Sequence, residues 1–254
     1  MARRNAVVVT HGRLRQSGTV VGEAVGQLQS AGFNVAIIDN VDPPAFGTPS
    51  QRVNDDTEIV VVLGGDGTIL RAAELVHCTE VPILGVNLGH VGFLAEFESF
   101  QMSDAIRRVA DHDYLIDERM IAHVDVWLPG ASEPIEDWAL NDITLERETR
   151  GKMVELSIRV DDVEMSSFGA DGVIVSTPTG STAYAFSAGG PIIWPNVQAL
   201  QLTPLAAHAL FARPLIIGAD STFTLDILDS SVSDGWICCD GRRQRSLPKG
   251  TRVE

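Results

Sequence analysis

Apolar residues follow two different rhythms along the 254-residue chain. In the first part they come as short unbroken runs at residues 6–9, 35–38, 59–63 and 81–86. A run of four to six apolar residues with no polar alternation predicts a strand covered on both faces. Between the runs, Val20, Val21, Ala24, Val25 and Leu28 recur at helical spacing ahead of an Ala31-Gly32 stop, and residues 69–75 read as a second helix. Residues 103–110 predict a third, with Asp104 near its start and Arg107 and Arg108 in its last turn, matching the helix dipole. Residues 39–56, with Pro43, Pro44, Gly47 and Pro49, have no period and predict a loop able to move. Such strand and helix alternation predicts an open, mostly parallel sheet through about residue 100.

Beyond residue 118 the period shortens to two. Residues 122–128, 156–160 and 223–227 alternate apolar and polar, with turn signals between them. This texture belongs to antiparallel sheets packed face to face. The expected architecture is an α/β N-terminal domain over residues 1–117, followed by an all-β, sandwich-like C-terminal domain over residues 118–254. The chain shows no internal repeat.

Charge narrows the partners. Nineteen basic against 34 acidic residues give a net charge of −15, which opposes nucleic acid and anionic lipid surfaces. A phosphate-bearing ligand must therefore be held locally by loops, arginines or metal. Cys78, Cys238 and Cys239 have neither metal-ligand spacing nor the even count of a disulfide framework, which points to a reducing cytoplasm. No apolar run approaches a membrane span, and the run after Arg4 is too short for a signal-peptide core.

Three constellations carry candidate chemistry. Gly64-Gly65-Asp66-Gly67-Thr68 joins a predicted buried strand to a predicted helix. Its glycines allow close backbone approach to a polyphosphate, the helix N-terminus suits phosphate oxygens, and Asp66 can accept a proton from an attacking hydroxyl. A tight turn whose aspartate only caps the helix is the plainer alternative. Arg71, three residues past Thr68, is either a phosphate ligand or a solvated arginine. The second constellation runs from Asp171-Gly172 through Thr177-Pro178-Thr179-Gly180-Ser181-Thr182-Ala183-Tyr184 to Ser187 and Gly190. It offers short hydroxyl groups and an aromatic ring that can stack; a hairpin connection is the alternative. The third is Asn141-Asp142 at a strand start, suited to ribose hydroxyls and a base edge or to an Asx turn. His90, in the glycine-rich exit from the strand at 81–86, is as compatible with a loop histidine as with a ligand. The Gly-x-Ser-x-Gly elbow and the Gly-x-x-x-x-Gly-Lys loop are both absent.

Taken in order, the 64–68 loop, Asn87-Leu88-Gly89 with Gly92-Phe93-Leu94, Asn141-Asp142 and the long 171–190 motif make the chain resemble the NAD kinase family. The glycine-aspartate loop alone also resembles lipid kinases of the diacylglycerol type. The family resemblance implies a two-domain enzyme that phosphorylates the 2′-hydroxyl of the adenosine ribose of NAD, with ATP or inorganic polyphosphate as donor and a divalent metal, normally magnesium. It implies a homodimer or homotetramer. It also implies Asp66 as the catalytic residue, with Gly64, Gly65, Gly67 and Thr68 as the phosphate-donor loop. For NAD it implies Asp66, Gly67, Arg71, Asn141, Asp142, Lys152, Asp171, Thr182, Ala183, Tyr184 and Ser187. Asp142 stands where many members have glutamate, one methylene longer, and Arg242 where the family often has glutamine. The chain ends at Glu254 within an apparent strand, where members of the family continue and return to the first domain, so the resemblance implies a missing tail. A lipid kinase and a noncatalytic NAD sensor are the competing readings.

Overall fold

The computed structural model describes residues 4–11, 19–39, 42–88, 92–209 and 212–254. The chain forms two compact units, one of Met1–Pro44 with Pro49–Glu118 and one of Ala45–Thr48 with Arg119–Glu254. Among the described residues no helix is long and apolar enough to cross a membrane.

In the first unit the unbroken apolar runs become parallel strands: β1 (Arg4–Thr10), β2 (Phe33–Asp39), β3 (Thr57–Leu63), β4 (Ile83–Asn87) and the short β5 (Phe97–Glu98). They lie in the order β2-β1-β3-β4-β5, every pairing parallel. Successive side chains of a strand face opposite sides of the sheet. Ile59, Val61 and Leu63 therefore enter one core with Leu28 of α1 (Thr19–Ser30) and Ile106 of α3 (Met102–Ala110). Val60 and Val62 enter the other with Ile69, Ala72 and Leu75 of α2 (Asp66–Val76). Both faces are covered, which is why the strands read as continuous apolar runs.

The second unit holds two six-stranded sheets. One runs β10-β9-β14-β17-β6-β7 and the other β13-β12-β11-β8-β15-β16. In chain order these are β6 (Ala122–Trp127), β7 (Ile135–Ala139), β8 (Asp142–Arg147), β9 (Val154–Val160), β10 (Val163–Ala170) and β11 (Gly172–Ser176). They continue with β12 (Ala199–Leu205), β13 (Leu215–Gly218), β14 (Phe223–Ile227), β15 (Gly235–Cys239), β16 (Arg243–Leu247) and β17 (Arg252–Val253). One core joins the inward faces of both sheets, with Val124, Leu156 and Leu225 from the first and Ile143, Leu145, Val173 and Ile237 from the second. The α/β unit followed by antiparallel sheets is the fold class the two rhythms predict.

One segment behaves differently from expectation. Within the predicted loop, Phe46 is buried in the core of the second unit, and the Gly47 N–H donates to Asp137 Oδ2 at 2.9 Å. Proline and glycine spacing signals irregular backbone, and it carries no information on where a single buried ring anchors it.

Candidate functional site

In the first unit, β3 ends in the glycine loop that opens α2. Gly64 is fixed by packing, since a Cβ there would lie 2.5 Å from Thr68 Oγ1. Gly65 and Gly67 face open space, and neither has positive φ. The chain's own sterics do not demand glycine at these two positions, and the room is left for something that approaches the backbone closely. Gly65, the N-cap of α2, makes no side-chain capping bond, so the helix start retains its attraction for anions.

Asp66 does not cap its own helix. Its Oδ2 accepts the Phe93 N–H at 3.0 Å and its Oδ1 accepts the Leu94 N–H at 3.1 Å. A Cβ on Gly92 would collide with Asp66 Oδ1, so the segment after β4 holds the carboxylate only because residue 92 has no side chain. Arg71 is half-buried on α2 at i+4 from Gly67, a spacing that shares a helix face. Gly89, His90 and Val91 lie outside the described residues.

In the second unit, β8 and β15 are neighbours, and each divides its side chains by parity. Ile143 and Leu145 of β8, with Ile237 and Cys239 of β15, enter the core. Asp142, Thr144, Glu146, Trp236 and Cys238 face the other way and line a cavity of about 1020 Å³. Asn141, Asp171, Ala183 and Tyr184 line it too, so five of the residues singled out from sequence share one wall. Thr182, Ser187 and Lys152 are not part of that lining.

The hydroxyl-rich loop is largely occupied with its own framework. Thr177 Oγ1 donates to Leu140 O at 2.6 Å, Ser181 Oγ to Pro178 O at 2.6 Å, and Thr182 Oγ1 to Thr179 O at 3.3 Å. A Cβ on Gly180 would strike the Asn141 backbone, so the loop lies directly on the Asn141-Asp142 corner. These hydroxyls shape the cavity from behind, and Ala183 and Tyr184 reach its surface.

Two buried polar atoms at the wall, Asn141 Oδ1 and Arg147 Nη1, have no hydrogen-bond partner in the chain. Buried polar groups are rarely left so, and these invite a polar ligand or water. Arg147 Nε otherwise pairs with Asp171 Oδ1 at 2.7 Å. Asp142, Glu146, Glu148, Asp171 and Asp240 supply five carboxyl groups against the guanidinium groups of Arg147 and Arg150. Such a wall suits hydroxyl and amino donors or a cationic ring and repels phosphate.

Asp142 is only 6% exposed. Burial first, and the neighbouring Asp240 carboxylate second, push its carboxyl up to about 7, against a hydrogen bond from the Tyr184 backbone N–H. Tyr184 is 43% exposed; burial raises its phenol, with Glu146, Asp142 and Asp171 adding to the effect. Sequence reasoning passed over Glu146, Arg147, Trp236, Cys238 and Asp240. Strand parity could have found Glu146, Trp236 and Cys238, because in β8 and β15 they continue the face on which Asp142 lies.

Among the described residues no group of three or more His, Cys, Asp and Glu side chains is placed to hold a metal ion. Asp66 contributes one carboxylate already engaged with two N–H groups, so the described residues show no protein cage for a divalent cation.

Residues 140–254 match the ATP-NAD kinase C-terminal domain, and residues 48–114 match the ATP-NAD kinase N-terminal domain. The chain is 83% identical over 253 residues to an NAD kinase of Bifidobacterium longum, covering all of this chain and 74% of that protein. It is 45% identical over 259 residues to an NAD kinase of Thermobifida fusca, covering all of this chain and 77% of the other. Among solved structures it resembles yeast NADH kinase complexed with NADH, with a TM-score of 0.84 and 26% identity over 99% of this chain and 79% of that one. It also resembles an NAD kinase from Archaeoglobus fulgidus in complex with ATP, with a TM-score of 0.72 and 26% identity over 98% of this chain and 89% of the other.

Proposed function

Because the chain belongs to the NAD kinase family, and so phosphorylates the 2′-hydroxyl of the adenosine ribose of NAD, we propose a division of labour between its two parts. Residues 1–117 handle the phosphoryl donor and residues 118–254 the nucleoside of NAD. The observation that carries the second assignment is the cavity wall, rich in carboxylates yet with Asn141 Oδ1 and Arg147 Nη1 unpartnered. Asn141, Asp142, Asp171, Ala183 and Tyr184 line this wall; Thr182, Ser187 and Lys152 are assigned to the NAD site by family resemblance alone.

Gly64, Gly65, Gly67 and Thr68 form the donor loop, and Gly67 and Arg71 also serve NAD. The open space beside Gly65 and Gly67 and the uncapped start of α2 support this. Asp66 accepts the 2′-hydroxyl proton while that oxygen bonds to the terminal phosphorus of the donor and the bond to the leaving phosphate breaks. Phosphoryl transfer depends chiefly on alignment and charge stabilisation, so the base supplies the smaller share, about 10²–10⁴-fold. Magnesium would arrive on the donor's phosphate oxygens, where it spreads the charge of the transferring group.

ATP is the proposed donor, with polyphosphate as the variant to test. Phe186, Ile192 and Trp194 expose apolar side chains, Trp194 by 72%, which supports a homodimer or homotetramer. We place the enzyme in the cytoplasm, where its three free thiols would stay reduced. Incubating the protein with NAD and magnesium, plus either ATP or polyphosphate, and measuring NADP tests the reading. A diacylglycerol acceptor in place of NAD tests the lipid-kinase alternative. Normal NAD binding without NADP from either donor would instead identify a noncatalytic sensor.

A further inference from the structure

We propose that Asp240 is a positioning residue for NAD binding: its carboxylate gathers three consecutive backbone N–H groups and thereby fixes the Asn141-Asp142 corner at the cavity wall. Asp240 Oδ2 accepts the Leu140 N–H at 3.0 Å, while Oδ1 accepts those of Asn141 at 2.7 Å and Asp142 at 3.3 Å. In return the Asp240 N–H donates to Asp142 O at 2.9 Å. Leu140 and Asn141 lie between β7 and β8, where no ladder supplies partners for their N–H groups. A side chain from another hairpin supplies them.

That hairpin is built for the purpose. Asp240 and Gly241 have φ of 52° and 66°, the left-handed central pair of a turn that the Arg242 N–H closes onto Cys239 O at 3.0 Å, positions for which Asp-Gly is favoured. Behind Asp240, the Arg243 guanidinium is 1% exposed and stands between Asp137 Oδ1 at 2.9 Å and Asp240 Oδ2 at 3.5 Å, over the Trp138 ring at 4.7 Å. Arg243 balances Asp240. Asp142 faces Asp240 as a like charge, with Glu146, Cys238 and the Tyr184 phenol also nearby. The device has two effects. It aims Asn141 and Asp142 at the ligand, and it ties the ionisation of Asp142 to that of Asp240.

The inference rests on the assignment of Asn141 and Asp142 to NAD, and NAD titrations from pH 5.5 to 8.5 separate the two. In the native protein, affinity should rise as pH climbs through about 7, because ribose hydroxyls donate best to an ionised carboxylate. Asp142→Asn should bind NAD at least about tenfold more weakly at pH 8 and flatten the pH dependence. Asp240→Asn should also weaken NAD about tenfold, leave kcat at saturating NAD within about threefold, and move the midpoint to lower pH. A merely structural aspartate would not move that midpoint. Unchanged affinity in Asp142→Asn would overturn the assignment and the inference together. A weakened Asp142→Asn beside an Asp240→Asn with native affinity and midpoint would overturn the inference alone. Should Asp240→Asn not fold, Asp240→Glu, which keeps the charge on a longer arm, should weaken NAD severalfold at the native midpoint; native affinity there would overturn the proposal.

Discussion

The carboxylate of Asp66 and the pair formed by Asp142 and Asp240 represent two ways of holding an acid in one protein. Asp66 is half-buried and held by two backbone N–H groups, with no second carboxylate among its hydrogen-bond partners. Asp142 and Asp240 are buried and face each other, and both are raised above the usual carboxylate range, chiefly by burial. Backbone N–H groups aim a carboxylate while compensating its charge. Burial beside a like charge makes one responsive to pH. The first arrangement suits a group that must be in place at every turnover. The second suits a binding wall whose grip changes with protonation.

The largest test of this contrast is Asp66→Asn. It should lower kcat at least about a hundredfold while NAD affinity is mostly retained, since removing a general base costs about 10²–10⁴-fold. The asparagine can still accept one of the two N–H bonds, but its amide group would confront the other. Single-turnover rates and NAD titration of the same preparation provide the measurement. Near-normal turnover would remove Asp66 from the chemistry and dissolve the contrast.

Next in size is the effect of Asp142 on stability. Its carboxyl titrates at about 7 in the folded chain against 3.8 for the ordinary group, so folding takes up a proton between those values. The resulting stabilisation is fully present below about 4 and is lost as pH rises through about 7. Without NAD, the stability of the native protein relative to Asp142→Asn should therefore fall between pH 5 and pH 8, by on the order of 2 kcal/mol. Denaturant unfolding at the two pH values reads this directly. An equal difference at both would mean that Asp142 is ionised throughout.

Gly92→Ala sharpens the Asp66 side. A methyl group there would collide with Asp66 Oδ1, displacing the carboxylate and leaving α2 and the sheet in place. An angstrom-scale misplacement of a catalytic group costs about 10–100-fold, and kcat should fall by that amount at nearly native NAD affinity. In the Asp66→Asn background the same change should add little. Full additivity of the two substitutions would show that Gly92 acts elsewhere.

How much of this was legible in the sequence follows the same division between local and distant. The β3 run, the Gly64 loop and α2 are consecutive, so their pattern is written in neighbouring residues. Alternation at 122–128 and 223–227 likewise gave the antiparallel sheets. The Asp137, Asp240 and Arg243 network spans more than a hundred residues, with Arg243 Nε meeting Asp137 Oδ1 at 2.9 Å, and leaves no periodic trace. Family resemblance drew attention to Arg242, yet Arg243 is the buried partner. Adjacent arginines look alike until the hairpin register decides which one turns inward. The hydroxyl run from Thr177 to Thr182 signalled a special loop correctly, but its composition could not show that Thr177, Ser181 and Thr182 bond to backbone carbonyls.

Tyr184→Ala is the smallest test and the most specific to the cavity. The ring is partly exposed and its backbone N–H serves Asp142; the substitution removes the ring and keeps that hydrogen bond. Lost stacking should weaken NAD by about 0.5–1.5 kcal/mol, roughly two- to twelvefold in Kd, with the pH midpoint of binding nearly unmoved. Calorimetric titration at pH 7 and pH 8.5 separates ring from carboxylate. If Kd were unchanged, the Tyr184 ring would be only a wall of the cavity, and the acidic residues beside it would carry NAD recognition alone.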